Sequence, residues 1–400
     1  MRILIISNLF PPHVLGGCEI LCGQICDALR VRGHEISVLT SDHGASAVEL
    51  AAAPAKVHRR LRLYKDFDAP GRLHRARRWA VGRESYRIAR ELIASEQPEV
   101  IFIWNLLRLT VGPARAAHDS GVPTAYTFND ENIASYLPVP LSLSPRRIAG
   151  WALDHSLLAD NTLRGLDFAW STCISAQLKS KLLAARVPVQ AARVIYQGIP
   201  VARFPVKEPR PFSCPAKILF AGQLVPSKGI ATLIEAAHRL ERELPGSAEL
   251  FIGGGGIPAL ESALREQAAA GPARVQFLGR IPHEAMPALY RAHDIFVFPS
   301  LGPEAFGLTH LESMASGTPV ASTATGGQGE FLLDEQNALV FAPGDAVGLA
   351  AKLARLIREP ALGQRLAGTA RSLVEKQFTL ERYAAELEEL LADASRTVSG

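Results

Sequence analysis

Residues 295–322 read Ile295-Phe-Val-Phe-Pro-Ser-Leu-Gly-Pro-Glu304-Ala-Phe306-Gly307-Leu308-Thr-His-Leu-Glu312-Ser-Met-Ala-Ser-Gly-Thr-Pro319-Val-Ala-Ser322. The stretch opens on a short, wholly apolar run, Ile295–Phe298, stopped by Pro299. A run of that kind between breakers predicts a strand buried on both faces. A loop carrying Glu304 follows, a helix begins near Gly307 with Glu312 just over a turn into it, and Pro319–Ser322 supplies the next apolar run. Strand, helix and strand in so short a span predict parallel strands joined by a helical crossover.

Outward from this unit the same alternation fills the chain. Arg2–Ile6 reads as a first buried strand, Gly17–Arg32 as a helix stopped at Gly33, and Ile36–Thr40 as the next strand, followed by Val100–Trp104, Thr124–Phe128, Ala169–Ile174 and Val194–Tyr196. Pro205 to Pro215 then holds four prolines in eleven residues, a composition that predicts a linker. After it come Lys217–Ala221, Glu249–Ile252, Val275–Leu278 and, beyond the opening stretch, Ala338–Phe341. The expected fold class is α/β, with two Rossmann-like domains: 1–200, a linker over 201–215, and 216–379. The last helix, about Leu380 to Ala394, puts Leu380, Ala384, Leu387 and Leu391 on one stripe, and 380–400 is expected to pack back on the first domain. At 400 residues the chain exceeds one ordinary core, as two domains require. Open parallel sheets bind ligands at the carboxyl ends of their strands, so the cleft that two such domains make is the expected site.

Composition narrows the class. Hydrophobic residues are 48 % and charged residues 20 %, ordinary for a folded soluble protein. Met1 to Asn8 is too short an apolar run for a secretion signal, and no stretch approaches the ~18 apolar residues of a membrane span; a cytoplasmic location follows as an expectation. Five cysteines make no disulfide framework, and Cys18, Cys22 and Cys26, four apart, are read as the buried face of one helix with Leu21, Ile25 and Leu29. The net charge of +4 is unevenly placed: from Lys56 to Arg90, twelve Lys or Arg stand against Asp66, Asp68 and Glu84. That segment, with seven arginines from Arg72 to Arg90 in one helical stretch, is a candidate peripheral contact for an anionic membrane; its alternative is a solvated charged face. Its aromatics are too few for a nucleic-acid surface, so no nucleic-acid partner is expected.

Three motifs carry chemistry. The helix start at Phe306, Gly307 and Leu308 presents unpaired N–H groups that suit a diphosphate; Glu312 is placed to bind a ribose diol and Glu304 sugar hydroxyls. Phe220-Ala-Gly222-Gln223-Leu-Val-Pro-Ser-Lys228-Gly229 is a Gly-rich turn with a lysine before a helix, able to hold a phosphate as a point charge. Gly16-Gly17 lies between the first strand and first helix, but without the Gly-x-Gly-x-x-Gly dinucleotide fingerprint, which counts against a dehydrogenase. Gly253–Gly256 is read as a turn. Asp66-Phe67-Asp68 is formally an Asp-x-Asp metal motif but follows no buried strand, so no metal site is assigned.

Together these motifs resemble the family 4 retaining glycosyltransferases of GT-B fold. Glu304 and Glu312 fit that family's Glu-x7-Glu element, Gly222 to Gly229 its Gly-Arg-Leu-x-x-x-Lys-Gly element, Gln197-Gly198-Ile199-Pro200 its Asn-Gly-Val/Ile-Asp element, and Gly16-Gly17 its N-terminal glycine pair. The resemblance implies transfer of a hexose-type sugar, with retention, from a UDP- or GDP-type nucleotide sugar to a sugar or lipid-linked acceptor, with no cofactor. It implies catalytic roles for Lys228, Glu304 and Asn129, and donor contacts from Gly16, Gly17, Gln223, Lys228, Glu304, Phe306, Gly307, Leu308 and Glu312. Two positions depart from the family. Gln223 stands where an arginine is usual, and Asn129 where many members have a histidine. Two other readings follow from the same residues: a nucleotide-sugar epimerase or hydrolase, and a non-catalytic nucleotide-sugar-binding protein.

Overall fold

The structure, a computed structural model, describes residues 1–51, 54, 56–65, 74–138, 148, 161–207 and 212–396. It divides into two compact units, Met1–Ile195 with Tyr383–Gly400, and Tyr196–Arg382.

The first unit is built on seven strands: β1 (Arg2–Ser7), β2 (Glu35–Ser41), β3 (Val57–Leu61), β4 (Val100–Asn105), β5 (Thr124–Phe128), β6 (Ser171–Cys173) and β7 (Arg193–Val194). They form one sheet in the order β3-β2-β1-β4-β5-β6-β7, and every neighbouring pair is parallel. Ile3 to Ile6 and Val100 to Trp104 are continuously buried because helices cover both faces of a parallel sheet. Helix α1 (Gly17–Val31) turns Leu21, Cys22, Ile25, Cys26 and Leu29 inward, the face read from the cysteine spacing. Helices α2 (His74–Glu96), α3 (Gly112–Ser120) and α4 (Ala176–Ala184) complete the layers.

Strand β3 lies inside the basic segment and was not legible as a strand. It is an edge strand paired only with β2, so it buries Val57 and Leu61 while half-exposed His58 and Arg59 and exposed Arg60 intervene. Much of the segment's charge is spent within the protein. Arg78 donates to Ser135 O at 3.2 Å and Asn161 O at 3.1 Å and lies 4.3 Å from the Tyr136 ring centroid. Lys56 pairs with Glu35 and Glu96, and Arg60 and Arg87 pair with Glu91. Val81, Ile88 and Leu92 are core residues, while Trp79 stays 38 % exposed. Asp66, Asp68 and the side chain of Arg75 lie outside the described residues.

The second unit holds β8 (Ala216–Ala221), β9 (Ala248–Gly253), β10 (Arg274–Gly279), β11 (Ile295–Phe298), β12 (Val320–Ser322) and β13 (Leu339–Val340). Their order is β10-β9-β8-β11-β12-β13, again with parallel neighbours. Around this sheet lie α5 (Ile230–Glu243), α6 (Pro258–Ala269), α7 (Met286–Ala292), α8 (Leu308–Ala315), α9 (Ala346–Arg358) and α10 (Pro360–Gln377). The proline-rich stretch reads as a linker from its composition, but where described it belongs to this unit. Phe204 is buried with its ring 6.3 Å from Tyr290, and Lys207 N–H donates to Ser316 O at 3.2 Å. Prolines stop regular elements without preventing a strap from packing on a core.

Helix α11 (Leu380–Arg396) carries the chain into the first unit, to which Tyr383 onward belongs. Ala384, Leu387 and Leu391 are fully buried. Glu388 on the same helix binds His34 Nε2 at 2.7 Å and Arg32 Nε at 2.5 Å.

Candidate functional site

Each sheet reverses its strand order once, at β1/β4 in the first unit and at β8/β11 in the second. Loops leaving two such strands run to opposite faces and open a crevice at their carboxyl ends. In the second unit these are the loops 222–229 and 299–307, and they are tied together. Leu301 N–H donates to Ser227 O at 2.7 Å. Gly229 takes a left-handed φ of +68°, and a Cβ there would lie 2.0 Å from Pro299 O, so only glycine permits the approach. This contact sets Lys228 beside Glu304: Nζ donates to Oε2 at 2.7 Å. Both side chains keep a little solvent access, 19 % and 18 %.

Further contacts fix the pair. Lys228 Nζ lies 4.9 Å from the Phe298 ring centroid, a cation–π contact. Ser300 Oγ is 2.5 Å from Glu304 Oε1 and 3.0 Å from Ser227 O; its one proton serves one of the two. Gly327 N–H donates to Glu304 O at 2.7 Å. Phe306 is buried, stacked on Tyr196 at 5.8 Å and close to Phe331 and Phe378, so its side chain anchors the loop and only its backbone is available to a ligand.

Helix α8 begins where that loop ends. Its first intrahelical bonds run from His310 and Leu311 N–H to Gly307 O, so the N–H groups of Gly307, Leu308 and Thr309 precede the ladder and keep the positive end of the helix dipole. Glu312, one turn on, is 6 % exposed. It accepts from Tyr290 OH at 2.9 Å, and His283 Nε2 lies 3.1 Å from its other oxygen. Burial and then the Glu312 carboxylate push the Tyr290 phenol well above its usual range, which keeps it a proton donor. His310 is wholly buried, with Nε2 2.9 Å from Ser322 Oγ, and burial pulls its pKa down to about 4, so it is neutral near pH 7.

In the first unit, the carboxyl ends of β4 and β5 carry a second polar group. Asn129 Nδ2 donates to Trp104 O at 2.9 Å, and Asp130 accepts from Asn132 N–H at 2.8 Å. Gly16 caps α1, with its N–H bonded to Glu19 Oε2 at 3.0 Å, and a Cβ at Gly16 would meet nothing within 4 Å. The first turn of α1 therefore starts on bare backbone.

A family profile described as glycosyltransferase family 4 matches residues 15–203, and one described as glycosyl transferases group 1 matches residues 206–373. The chain belongs to the family 4 glycosyltransferases. It is 28 % identical over 420 residues to the glycogen synthase of Mycobacterium tuberculosis, covering 99 % of this chain and 95 % of that one. It is also 28 % identical over 418 residues to that organism's GDP-mannose-dependent alpha-(1-6)-phosphatidylinositol monomannoside mannosyltransferase, covering 99 % and 100 %. Among solved structures, Anabaena HepE in complex with UDP-glucose superposes with a TM-score of 0.72 at 20 % identity, covering 98 % of this chain and 100 % of that one. The fold is GT-B, and the enzyme is a nucleotide-sugar-dependent glycosyltransferase.

Within this glycosyltransferase, the residues marked from sequence fall into three places. Lys228, Glu304, Phe306 and Gly307 lie on the two loops tied at Gly229, with exposed Gln223 near the start of the first and Leu308 opening α8. Glu312 forms a separate buried group with Tyr290 and His283. Gly16, Gly17 and Asn129 belong to the first unit. The Gly253–Gly256 run is a turn packed under the 222–229 loop: Gly222 and Leu224 N–H donate to Gly253 O at 3.0 Å and Gly255 O at 3.1 Å. Sequence reading missed Tyr290, His283 and Ser300. The first two sit 22 and 29 residues from Glu312, and no short motif links them to it.

Proposed function

We propose that the second unit holds a UDP- or GDP-type hexose donor and that the first unit holds a sugar or lipid-linked acceptor, with transfer proceeding with retention of anomeric configuration. The observation that carries the donor assignment is the Lys228–Glu304 pair at the switch point of the second sheet, 2.7 Å apart and beside the start of α8. The names of the relatives support a hexose donor, and glycogen and phosphatidylinositol mannoside chemistry supports a polysaccharide or lipid-linked acceptor.

In the reaction the nucleoside diphosphate leaves, and negative charge grows on its β-phosphate. An ammonium group has three protons. Lys228 gives one to Glu304 and keeps two for phosphate oxygens, while the N–H groups of Phe306, Gly307 and Leu308 add a preorganised positive field. Glu304, held by Lys228 and Ser300, would accept from sugar hydroxyls. Glu312 would accept from the ribose with its remaining lone pairs. Gln223, neutral where a cation is usual, leaves Lys228 as the charge at the leaving group. Gly16 and Gly17 would let the first turn of α1 approach an anion, and Asn129 would bind a sugar hydroxyl. On this reading no divalent metal is needed.

We place the enzyme in the cytoplasm, at the inner face of the membrane by peripheral contact through 56–90. Among the described residues no helix is long and apolar enough to cross a bilayer. Exposed Arg77 and Arg83, the latter 5.1 Å over the Trp79 ring, are the charges best placed for the contact, whereas Arg78 is committed within the unit.

A thermal-shift screen tests the donor reading. A nucleoside diphosphate present at 100 times its Kd adds about 2.7 kcal/mol to stability, so UDP or GDP should raise Tm, with or without a chelator. NMR of the product should show the donor's anomeric configuration. No shift with any nucleotide, loss of activity in chelator restored by magnesium or manganese, or an inverted product would each contradict part of it.

A further inference from the structure

The polar pocket at the carboxyl ends of β4 and β5 bears on what kind of acceptor the enzyme takes. It is lined by Trp104, Asn105, Thr127, Asn129, Asp130 and Tyr136, among others. Trp104 and Tyr136 are buried. Several of its polar atoms are already committed: Tyr136 OH donates to Leu106 O at 2.8 Å, Asn105 Oδ1 accepts from Leu107 N–H at 2.8 Å, and Asn129 Nδ2 donates to Trp104 O. One is not. Thr127 is 4 % exposed, and its Oγ1 is buried without a partner in the protein. A buried hydroxyl left unpaired is costly, and its presence in a polar pocket points to a ligand or water that completes it.

Among the described residues, the only charged side chain that lines the pocket is Asp130. Asp130 is half-buried, and its surroundings act on it through burial, the Asn132 contact and the neighbouring Glu131, with no cation among them. Glu19 and Cys18 both feel the Asp130 charge, so a second carboxylate stands nearby. A phosphate or carboxylate entering here would meet like charge in a partly desolvated place, and the cations shown nearby are engaged elsewhere: Arg78, over the Tyr136 ring, donates to Ser135 O and Asn161 O, and Lys181 pairs with Glu131.

We propose that this pocket binds an uncharged, hydroxyl-bearing part of the acceptor, a sugar ring or similar polyol, with Thr127 and Asp130 taking its hydroxyls, and that it disfavours acceptors phosphorylated on that part. A hydroxyl can donate to Asp130 and accept from Thr127, whereas a phosphate dianion has no proton to offer. Burial pushes the Asp130 carboxyl above its usual range, and a hydroxyl donating to it restores the ionised form. The inference rests on the assignment of the acceptor to the first unit.

Ligand-observed NMR on the full chain without donor tests it. Methyl α-glucoside and methyl α-mannoside are compared with glucose 6-phosphate and mannose 6-phosphate, on the wild type, Thr127→Val and Asp130→Asn. A neutral glycoside should bind the wild type at least roughly tenfold tighter than its phosphate; Asp130→Asn should weaken that glycoside roughly tenfold, the effect of one hydrogen bond to a charged group, and Thr127→Val roughly threefold to tenfold, the effect of a neutral one. Asp130→Asn should narrow the gap to the phosphate. Nucleoside diphosphate binding by thermal shift should be the same in all three proteins, which also reports their folding. Equal or tighter binding of the phosphates, unchanged glycoside binding in both variants, or no binding of either glycoside would overturn the proposal. Any of those outcomes with nucleotide binding intact leaves the donor assignment standing; glycoside binding lost in the variants with no nucleotide bound by any protein would sink the donor assignment and keep the pocket.

Discussion

Glu312 accepts from Tyr290 OH and lies within bonding distance of His283 before any ligand is present, which changes what its removal should do. Glu312→Ala would leave the buried Tyr290 hydroxyl without an acceptor, a loss of about 1–3 kcal/mol in stability, in addition to weaker donor binding. Glu312→Gln keeps the volume and one acceptor, so it should melt closer to the wild type and show its effect in the donor KM more than in kcat. Glu304→Gln should do the reverse and lower kcat, because Glu304 is bound to Lys228, the cation proposed to meet the leaving group. Steady-state kinetics with a denaturation curve for each variant separates these outcomes, and an unchanged nucleotide affinity in Glu312→Gln would remove Glu312 from the ribose. The glutamates were legible in sequence because a strand stop, a glycine and a helix start fix their spacing. Their partners were not, because Tyr290 and His283 come from separate elements that only the folded chain brings to α8.

At the scale of elements, α8 is held by a residue whose charge state matters. His310 is fully buried and neutral, with burial depressing its pKa to about 4 from about 6.5 in an unfolded chain. As pH falls below 6.5 the unfolded chain takes up a proton that the folded chain refuses until about pH 4, so this contribution is complete above 6.5 and is lost across that window. Its full size is about 3 kcal/mol for a shift of this order in a buried group. His310→Gln should therefore flatten the fall of unfolding free energy between pH 6.5 and pH 4 by up to one proton's slope; an unaltered slope would mean that His310 titrates alike in both states.

Helix α11 makes a second case at this scale. Leu387 is fully buried in it, and Leu387→Ala should cost about 2–5 kcal/mol by the loss of buried methyl groups and the cavity left. Denaturant unfolding gives the loss, and nucleotide binding by the second unit should stay at the wild-type value. The helix was readable in advance from its Leu380, Ala384, Leu387 and Leu391 stripe, because packing follows a 3.6-residue period. Strand β3 was not. An edge strand buries few side chains, and the arginines that intervene in Val57–Leu61 read as solvated charge.

Across the whole molecule, polar groups gather at the carboxyl ends of parallel strands: the loops after β8 and β11, where the second sheet reverses its order, hold the Lys228–Glu304 pair, and the ends of β4 and β5 hold Thr127 and Asp130, one strand from the reversal at β1/β4. The alternation of apolar runs and helical patterns gave both sheets because a parallel strand is buried along its length. The composition of 201–215 read as a linker, yet its described part, Phe204 above all, packs on the second unit, because proline content reports on backbone regularity and not on burial. The excess positive charge of 56–90 read as a surface patch, and part of it is internal. Membrane contact should accordingly depend on Arg77 and Arg83. Each exposed basic residue near an anionic surface is worth ~1 kcal/mol, so charge reversal at both should weaken binding to anionic vesicles at least tenfold, with raised salt doing the same. Equal binding to neutral vesicles would return the segment to a solvated face.

The proposed transfer turns on Lys228 as the charge that receives the leaving diphosphate. The direct measurement is the rate of nucleoside diphosphate release from the bound donor in a single turnover with acceptor, wild type against Lys228→Ala, with folding checked by unfolding curves. Removing one preorganised donor from a developing oxyanion typically costs about 10²–10³ in rate, and with Gln223 neutral beside it nothing on the 222–229 loop replaces the charge. The expected result is a folded variant slowed at least about a hundredfold in the chemical step. A folded Lys228→Ala that releases the diphosphate at close to the wild-type rate would contradict it.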